Sequence, residues 1–292
     1  MFTGTFTAIV TPFRDGKIDE PALAGLIKRQ IKSGVDGIVP AGTTGESPTV
    51  NFEEHIKLIE LSVKFAAGKI KVLAGTGGNA TDEAIYLTKA AEKEGADGSL
   101  QVAPYYNKPT QEGLFQHFRA IAKATKLPII LYSIPGRCGV EIAVDTAKRL
   151  ANACKNIIGI KEAGGNSDRV SQLRAALGEK FIILSGDDSL TLPFMSVGAQ
   201  GVISVSSNVI PREVSQMVKL FAAGKSAAAL KIHQKFYPIF KDLFIETNPV
   251  PVKAALVMMG QIKEEYRLPL VPMSATNRAI LKATLKTCGI LK

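Results

Sequence analysis

The sequence predicts a single (β/α)8 TIM barrel carrying a C-terminal helical extension. Three observations predict it: eight short β-branched runs end in turn residues, helix-like stretches separate them at an interval of about thirty residues, and the rhythm stops after the eighth run. The runs are Phe6–Thr11, Gly37–Ala41, Lys71–Gly75, Gly98–Pro104, Pro128–Pro135, Ile157–Glu162, Phe181–Ser185 and Gly201–Ser206. Each is rich in Val, Ile or Leu and is bounded by Gly, Pro, Ser, Thr or a charged residue, as expected of strands buried on both faces. Between them, Pro21–Ser33, Glu53–Ala67, Asp82–Glu94 and Gln111–Thr125 repeat their apolar residues at helical spacing. From about Pro211 only helical spacing follows, in Val214–Ala223, Ala227–Phe244 and Val250–Met259. The barrel is therefore expected over 1–224 and the helical extension over 225–292, with Ala-rich faces suited to close helix contacts or an oligomer interface. An open doubly wound sheet is the alternative; no Gly-x-Gly-x-x-Gly turn follows the first run, and Gly75-Thr76-Gly77-Gly78 lacks that spacing.

The 292 residues are 46% hydrophobic and 21% charged, a composition that fills a sizeable core and is unlike a disordered chain. A net charge of +10 raises the question of nucleic acid, but the Lys and Arg residues are dispersed and Trp is absent. No nucleic-acid partner is expected; the basic surface suits small anions. Cys138, Cys154 and Cys288 form no C-x-x-C pair and are odd in number, which fits a reducing compartment. The first fourteen residues have no basic region preceding an apolar one, and no apolar run approaches the ~20 residues of a membrane span, so a cytoplasmic protein without membrane contact is expected.

A barrel of this kind carries its chemistry at the C-terminal ends of the strands. There the chain places Gly42-Thr43-Thr44-Gly45-Glu46-Ser47, Tyr105-Tyr106-Asn107, Tyr132 ahead of Pro135-Gly136-Arg137, and Lys161-Glu162. Period-two alternation in the sixth run sets Gly159, Lys161 and Ala163 on one face and Ile158 and Ile160 on the other. If the Ile face meets the helices, Lys161 points into the barrel, loses hydration and becomes a neutral amine able to attack a carbonyl. Taken alone, it is equally a lysine that reaches solvent or pairs with a carboxylate. Tyr132 on the neighbouring strand is placed to exchange protons with that amine, although a lone strand tyrosine is more often core. Gly42–Gly45 offers hydroxyls and free backbone N–H groups to a small carboxylate, or is an ordinary turn whose Thr caps the next helix. Arg137 offers a planar fork for a second carboxylate, or is a surface arginine. His55, His117 and His233 lie far apart with no paired ligands, so no metal site is expected. A barrel aldolase without a metal must stabilise its carbanion covalently, and a lysine imine serves; no cofactor is expected beyond that imine on Lys161.

At these residues the sequence resembles the dihydrodipicolinate synthase/N-acetylneuraminate lyase family over essentially its whole length. The resemblance rests on Phe2-Thr3-Gly4, Ile9-Val10-Thr11-Pro12, Gly42-Thr43-Thr44-Gly45-Glu46-Ser47, Ala74-Gly75-Thr76-Gly77, Pro104-Tyr105-Tyr106-Asn107-Lys108-Pro109, Ile160-Lys161-Glu162-Ala163, Ser185-Gly186-Asp187-Asp188, Asn248-Pro249-Val250-Pro251-Val252-Lys253 and Leu268-Pro269-Leu270. It implies that Lys161 forms an imine with pyruvate, whose enamine adds to L-aspartate 4-semialdehyde in lysine and diaminopimelate biosynthesis. It also implies proton-relay roles for Tyr132, Thr44 and Tyr106, with Tyr106 reaching a neighbouring subunit's site. Thr43, Thr44, Gly186 and the backbone of Ile203 would bind pyruvate, and Arg137 the semialdehyde carboxylate. The implied assembly is a homotetramer, a dimer of dimers. Ser47, His55, Asn79, Glu83 and Tyr105 match positions at which some members bind L-lysine as a feedback inhibitor; for Asn79 and Glu83 the plainer reading is a helix N-cap and a first-turn acid. Ser133, Cys138 and Gly164 depart from the usual pattern beside the reacting groups, and Pro48 and Phe52 differ from some inhibited members. The rival readings are an aldolase for a sugar acid or sialic acid, which Arg137 disfavours, and a non-catalytic barrel that binds a 2-oxo acid.

Overall fold

The computed structural model describes residues 2–292. Eight parallel strands close into a barrel in chain order: β1 (Gly4–Ala8), β2 (Gly37–Val39), β3 (Lys71–Gly75), β4 (Gly98–Val102), β5 (Ile129–Ser133), β6 (Ile157–Glu162), β7 (Ile182–Ser185) and β8 (Gly201–Ser204), which pairs back onto β1. The runs at 71–75 and 157–162 coincide with strands, the first is shifted to begin two residues earlier at Gly4, and the others are trimmed at their ends. Local chemistry sets the helix boundaries. Asp19 caps the helix Glu20–Ser33, which Gly34 ends at a φ of 76°. Asn51 and Glu54 form a reciprocal capping box on Phe52–Ala66. Thr110 caps Gln111–Lys123.

Two apolar layers hold the barrel. Phe6, Val39, Leu73, Leu100, Ile130, Leu184 and Ile203 fill its interior, while Ile38, Leu131, Ile160, Ile183 and Val202 face the surrounding helices. The expected alternation in β6 holds for Ile160 but not for Ile158, which packs against the interior cluster. The register explains this: Ile129 pairs with Ile157 but Ile130 pairs with Gly159, so one residue is bulged at Ile158. Beyond the bulge, Tyr132 of β5 is the register partner of Lys161 of β6.

After β8 the chain is helical: Pro211–Ala222, Ser226–Asp242, Val250–Met258 and Ala275–Thr287. Helix 226–242 packs on helix 211–222, and helix 275–287 packs on both 226–242 and 250–258. A two-stranded ribbon, Phe13–Arg14 with Lys17–Ile18, follows β1, and sequence reading gave no sign of it. Among the described residues no helix is long and apolar enough to cross a membrane.

Candidate active site

A cavity of about 290 Å³ opens at the C-terminal ends of the strands, walled in part by Thr43, Thr44, Tyr132, Arg137, Lys161 and Gly186. Six of the residues singled out from the sequence as catalytic or substrate-binding thus meet at one place, from four different strand ends. Lys161 is 6% exposed, and its Nζ lies 4.0 Å from the centre of the Tyr132 ring. Burial lowers the pKa of its amine from 10.5 to about 7; the Asp188 carboxylate pulls in the opposite direction and the Arg137 guanidinium adds to the lowering. Space for the lysine depends on Gly186, since a Cβ there would sit 3.0 Å from Lys161 Cε and 2.6 Å from Ala163 Cβ.

Tyr132 is buried, and burial drives its hydroxyl well above the usual phenol range despite the opposing charge of Arg137, so it stays protonated at neutral pH. The side chain of Thr43 stands close enough to that hydroxyl to oppose part of the rise. The hydroxyl of Thr44 is engaged elsewhere, accepting from Asn248 Nδ2 at 3.0 Å. The two threonines begin a 3-10 turn at Thr43–Gly45, where successive side chains point about 120° apart, so they cannot both face Tyr132. The hydroxyl beside Tyr132, expected to be that of Thr44, is therefore that of Thr43.

Two other residues named from the sequence do not line the cavity. Ile203 is buried within the interior cluster below, and Val205 lines the cavity in its place. Tyr106 is 91% exposed at a φ of 72° and does not line the cavity of its own chain, while Tyr105 does. Ala41 and Glu46, which flank the Gly42–Gly45 turn, also have positive φ of 54° and 56°. Non-glycine residues in this region are held there by surrounding contacts, and such strain gathers at functional loops.

Residues that sequence reading gave no role complete the surroundings. Asp188 is buried and accepts from Ser204 Oγ, from Val205 N at 3.0 Å and from Ser206 N at 2.9 Å, which fixes the β7 and β8 ends beside Lys161. Glu162, fully buried, pairs with Arg169 at 2.8 Å, and Arg169 also reaches Glu141 at 3.1 Å and the carbonyl of Ile142. This network ties the end of β6 to the loop that carries Arg137. It also accounts for Gly164, whose N–H donates to Glu162 Oε1 at 2.7 Å and where a Cβ would come within 2.7 Å of the same oxygen. Ser133 accepts from Ile142 N at 3.3 Å. Cys138 is a buried wall residue whose thiol is pushed up to about 11, an unreactive state.

Of the five residues matched to lysine binding, Ser47 and Tyr105 line the same cavity. Asn79 does not cap the following helix, whose N-cap is Ala80; its amide donates to the carbonyl of Tyr105 at 3.3 Å. Glu83 lies close enough to the Tyr105 hydroxyl to help keep it protonated, after the larger effect of burial. His55 is buried and bonded to the carbonyl of Gly75 at 2.7 Å.

The chain is similar over nearly its whole length to proteins already known. A 4-hydroxy-tetrahydrodipicolinate synthase of Aquifex aeolicus is 54% identical over 286 residues, covering 98% of this chain and 97% of the relative. The solved structure of the 4-hydroxy-tetrahydrodipicolinate synthase of Methylacidiphilum fumariolicum superposes with a TM-score of 0.98 at 59% identity, covering 99% of this chain and 96% of the other. Two further solved relatives hold ligands: the Acinetobacter baumannii dihydrodipicolinate synthase, 45% identical with a TM-score of 0.97, is complexed with pyruvate, and that of Cyanidioschyzon merolae, 42% identical with a TM-score of 0.97, has lysine bound; the chains cover one another by 99% or more. The model of the dihydrodipicolinate synthetase family matches residues 1–288, and with a lysine-bearing cavity in a closed eight-stranded barrel the chain belongs to that family.

Proposed function

We propose that this chain condenses pyruvate with L-aspartate 4-semialdehyde to 4-hydroxy-tetrahydrodipicolinate, in the route to diaminopimelate and lysine. The observation that carries the reading is the buried amine of Lys161 beside the protonated hydroxyl of Tyr132. A substantial fraction of that amine is neutral at pH 7. It adds to C2 of pyruvate, and the carbonyl oxygen takes a proton through Tyr132 and Thr43 and leaves as water. The iminium acidifies the methyl group, whose proton is lost to give the enamine. Its C3 then attacks the aldehyde carbon of the second substrate. The amino group of that substrate closes the ring on the imine carbon and releases Lys161. The covalent electron sink means that no further cofactor is required. Thr44 and the Gly42–Gly45 backbone would bind the pyruvate carboxylate with Gly186 leaving space for it, and Arg137 the carboxylate of the semialdehyde.

Borohydride added to the protein with pyruvate is expected to fix a reduced adduct, and peptide mass mapping to place it on Lys161. A panel of aldehydes should then give product with the semialdehyde and none with N-acetylmannosamine; the reverse preference would transfer the reading to a sialic-acid aldolase. Arg137→Ala should leave trapping intact and raise KM for the semialdehyde by about tenfold or more, since a charge-assisted bidentate contact is lost.

The exposed, positive-φ Tyr106 fits a side chain completed by a second copy, in which it would join the relay of the neighbouring cavity within a dimer of dimers. Ser47, His55, Asn79, Glu83 and Tyr105 form a set of oxygen and nitrogen acceptors suited to the ammonium groups of lysine. Feedback inhibition is the expected outcome; turnover unchanged in millimolar lysine would remove it.

A further inference from the structure

Asn248 was assigned no role from the sequence, yet it touches both carboxylate-binding elements of the cavity. Its side-chain Nδ2 donates to Thr44 Oγ1 at 3.0 Å, and its backbone carbonyl accepts from Arg137 Nη2 at 3.2 Å. It is 5% exposed and lines the cavity. Its Oδ1, also buried, has no hydrogen-bond partner among the described residues. An amide kept for stability alone would satisfy both ends, because an orphaned buried acceptor loses its hydration without return. The one bond it does make therefore calls for an explanation.

A hydroxyl has one proton and two lone pairs. When an N–H donates into Thr44 Oγ1, the proton of that hydroxyl is driven away from the amide and left free to donate. Without Asn248 the hydroxyl would rotate and could spend its proton on a nearby backbone carbonyl. An anionic carboxylate in the cavity needs donors, so the direction of this single proton decides whether Thr44 attracts or repels it.

The position of Asn248 is itself fixed from the tail. Five residues on, the ammonium of Lys253 pairs with Glu46, the residue that ends the Thr43–Gly45 turn, with both side chains almost wholly buried. Thr44 and Asn248 are thus held from both sides by one contact between the β2 loop and the tail.

We propose that Asn248 is a positioning residue for pyruvate, turning the Thr44 hydroxyl proton toward the substrate carboxylate. The proposal rests on the reading of Thr44 as a carboxylate ligand. It is tested by double-mutant cycles on the full chain, with KM for pyruvate, kcat and thermal melting measured for wild type, N248A, T44V, T44S, N248A/T44V and N248A/T44S. N248A should raise KM for pyruvate roughly fivefold or more, with a smaller effect on kcat. In the T44V background the same substitution should add nothing, and with T44S, which keeps the hydroxyl, the increase should return. Equal increases with and without the hydroxyl would overturn the proposal, because Asn248 would then act through packing. An unchanged KM in N248A would overturn it as well. Should N248A fail to fold, N248D keeps the shape and reverses the bond, so that the carboxylate takes the Thr44 proton; KM for pyruvate should rise there too, and a wild-type value would refute the idea. An unaltered KM in T44V would instead remove the carboxylate role of Thr44, from which the proposal starts.

Discussion

Replacing Lys161 by methionine is expected to lower turnover at least ~10³-fold and, at the same time, to raise the melting temperature. The loss follows from chemistry: among the described residues no other amine lines the cavity, and a thioether cannot form the imine. The gain follows from linkage. In the unfolded chain the amine has its ordinary pKa of 10.5, whereas in the fold burial holds it at about 7, so the fold disfavours the proton that the unfolded chain retains. Between these values the unfolded state binds more protons, and stability rises with pH. Above pH 10.5 both states are neutral and the penalty vanishes; below about 7 it is fully present. A shift of this size corresponds to roughly 5 kcal/mol. Thermal melts of wild type and Lys161→Met should therefore differ most at pH 6–7 and converge toward pH 10; a difference independent of pH would contradict the buried-amine account. The same pKa sets an acid limb on imine formation, tenfold per pH unit below about 7 and flat above it. Arg137→Ala should move that limb to higher pH, because the guanidinium charge it removes opposes protonation of Lys161.

The strands and the inward-facing lysine were legible in the sequence because both rest on local signals. Ile157–Glu162 is apolar, short and closed by a charge, so its end and the lysine on it are visible in six letters. The bulge at Ile158 was not visible, since it arises from pairing with β5 and leaves no mark in composition. The two adjacent threonines show the same limit. Their letters identify a hydroxyl-rich turn, but which hydroxyl faces Tyr132 depends on the 3-10 geometry and on Asn248, 204 residues away. Tyr106 illustrates a different gap: a single chain leaves it exposed, and only a second copy could give it a site. Asn248 and Lys253 stood inside a quoted motif, yet nothing in their spacing reveals partners in the β2 loop. Tertiary contacts between polar residues are specified by the fold as a whole, whereas strand ends are specified nearby.

The tail is where the largest effect on folding is expected. Lys253→Met should destabilise the chain by ~3–5 kcal/mol, a drop of roughly 10 °C in melting temperature. The ammonium of Lys253 is 1% exposed and faces Glu46, which is wholly buried; it also lies 4.6 Å from the Phe13 ring centre and 5.0 Å from that of Tyr266. Burial lowers the lysine pKa and Glu46 offsets part of that effect, so each charge depends on the other. Removing the lysine strands a carboxylate in the interior. Arg267 cannot take its place: its guanidinium is already committed in two-pronged fashion to Glu54 at 2.5 and 2.6 Å, and only its backbone N–H reaches Glu46, at 3.3 Å. If the loss comes from the stranded charge, the double variant Glu46→Leu/Lys253→Met should recover most of the stability, because apolar replacement of a whole buried pair is often neutral or better. Activity should not recover with it. The pair anchors the Thr43–Gly45 turn to the segment bearing Asn248, and an apolar contact is less directional than an ion pair, so the cavity hydroxyls would lose their alignment while the fold remained. Denaturant melts read against KM for pyruvate separate the two effects: a double variant that regains both would make the pair a matter of stability alone, and one that regains neither would place its contribution in contacts other than the charge.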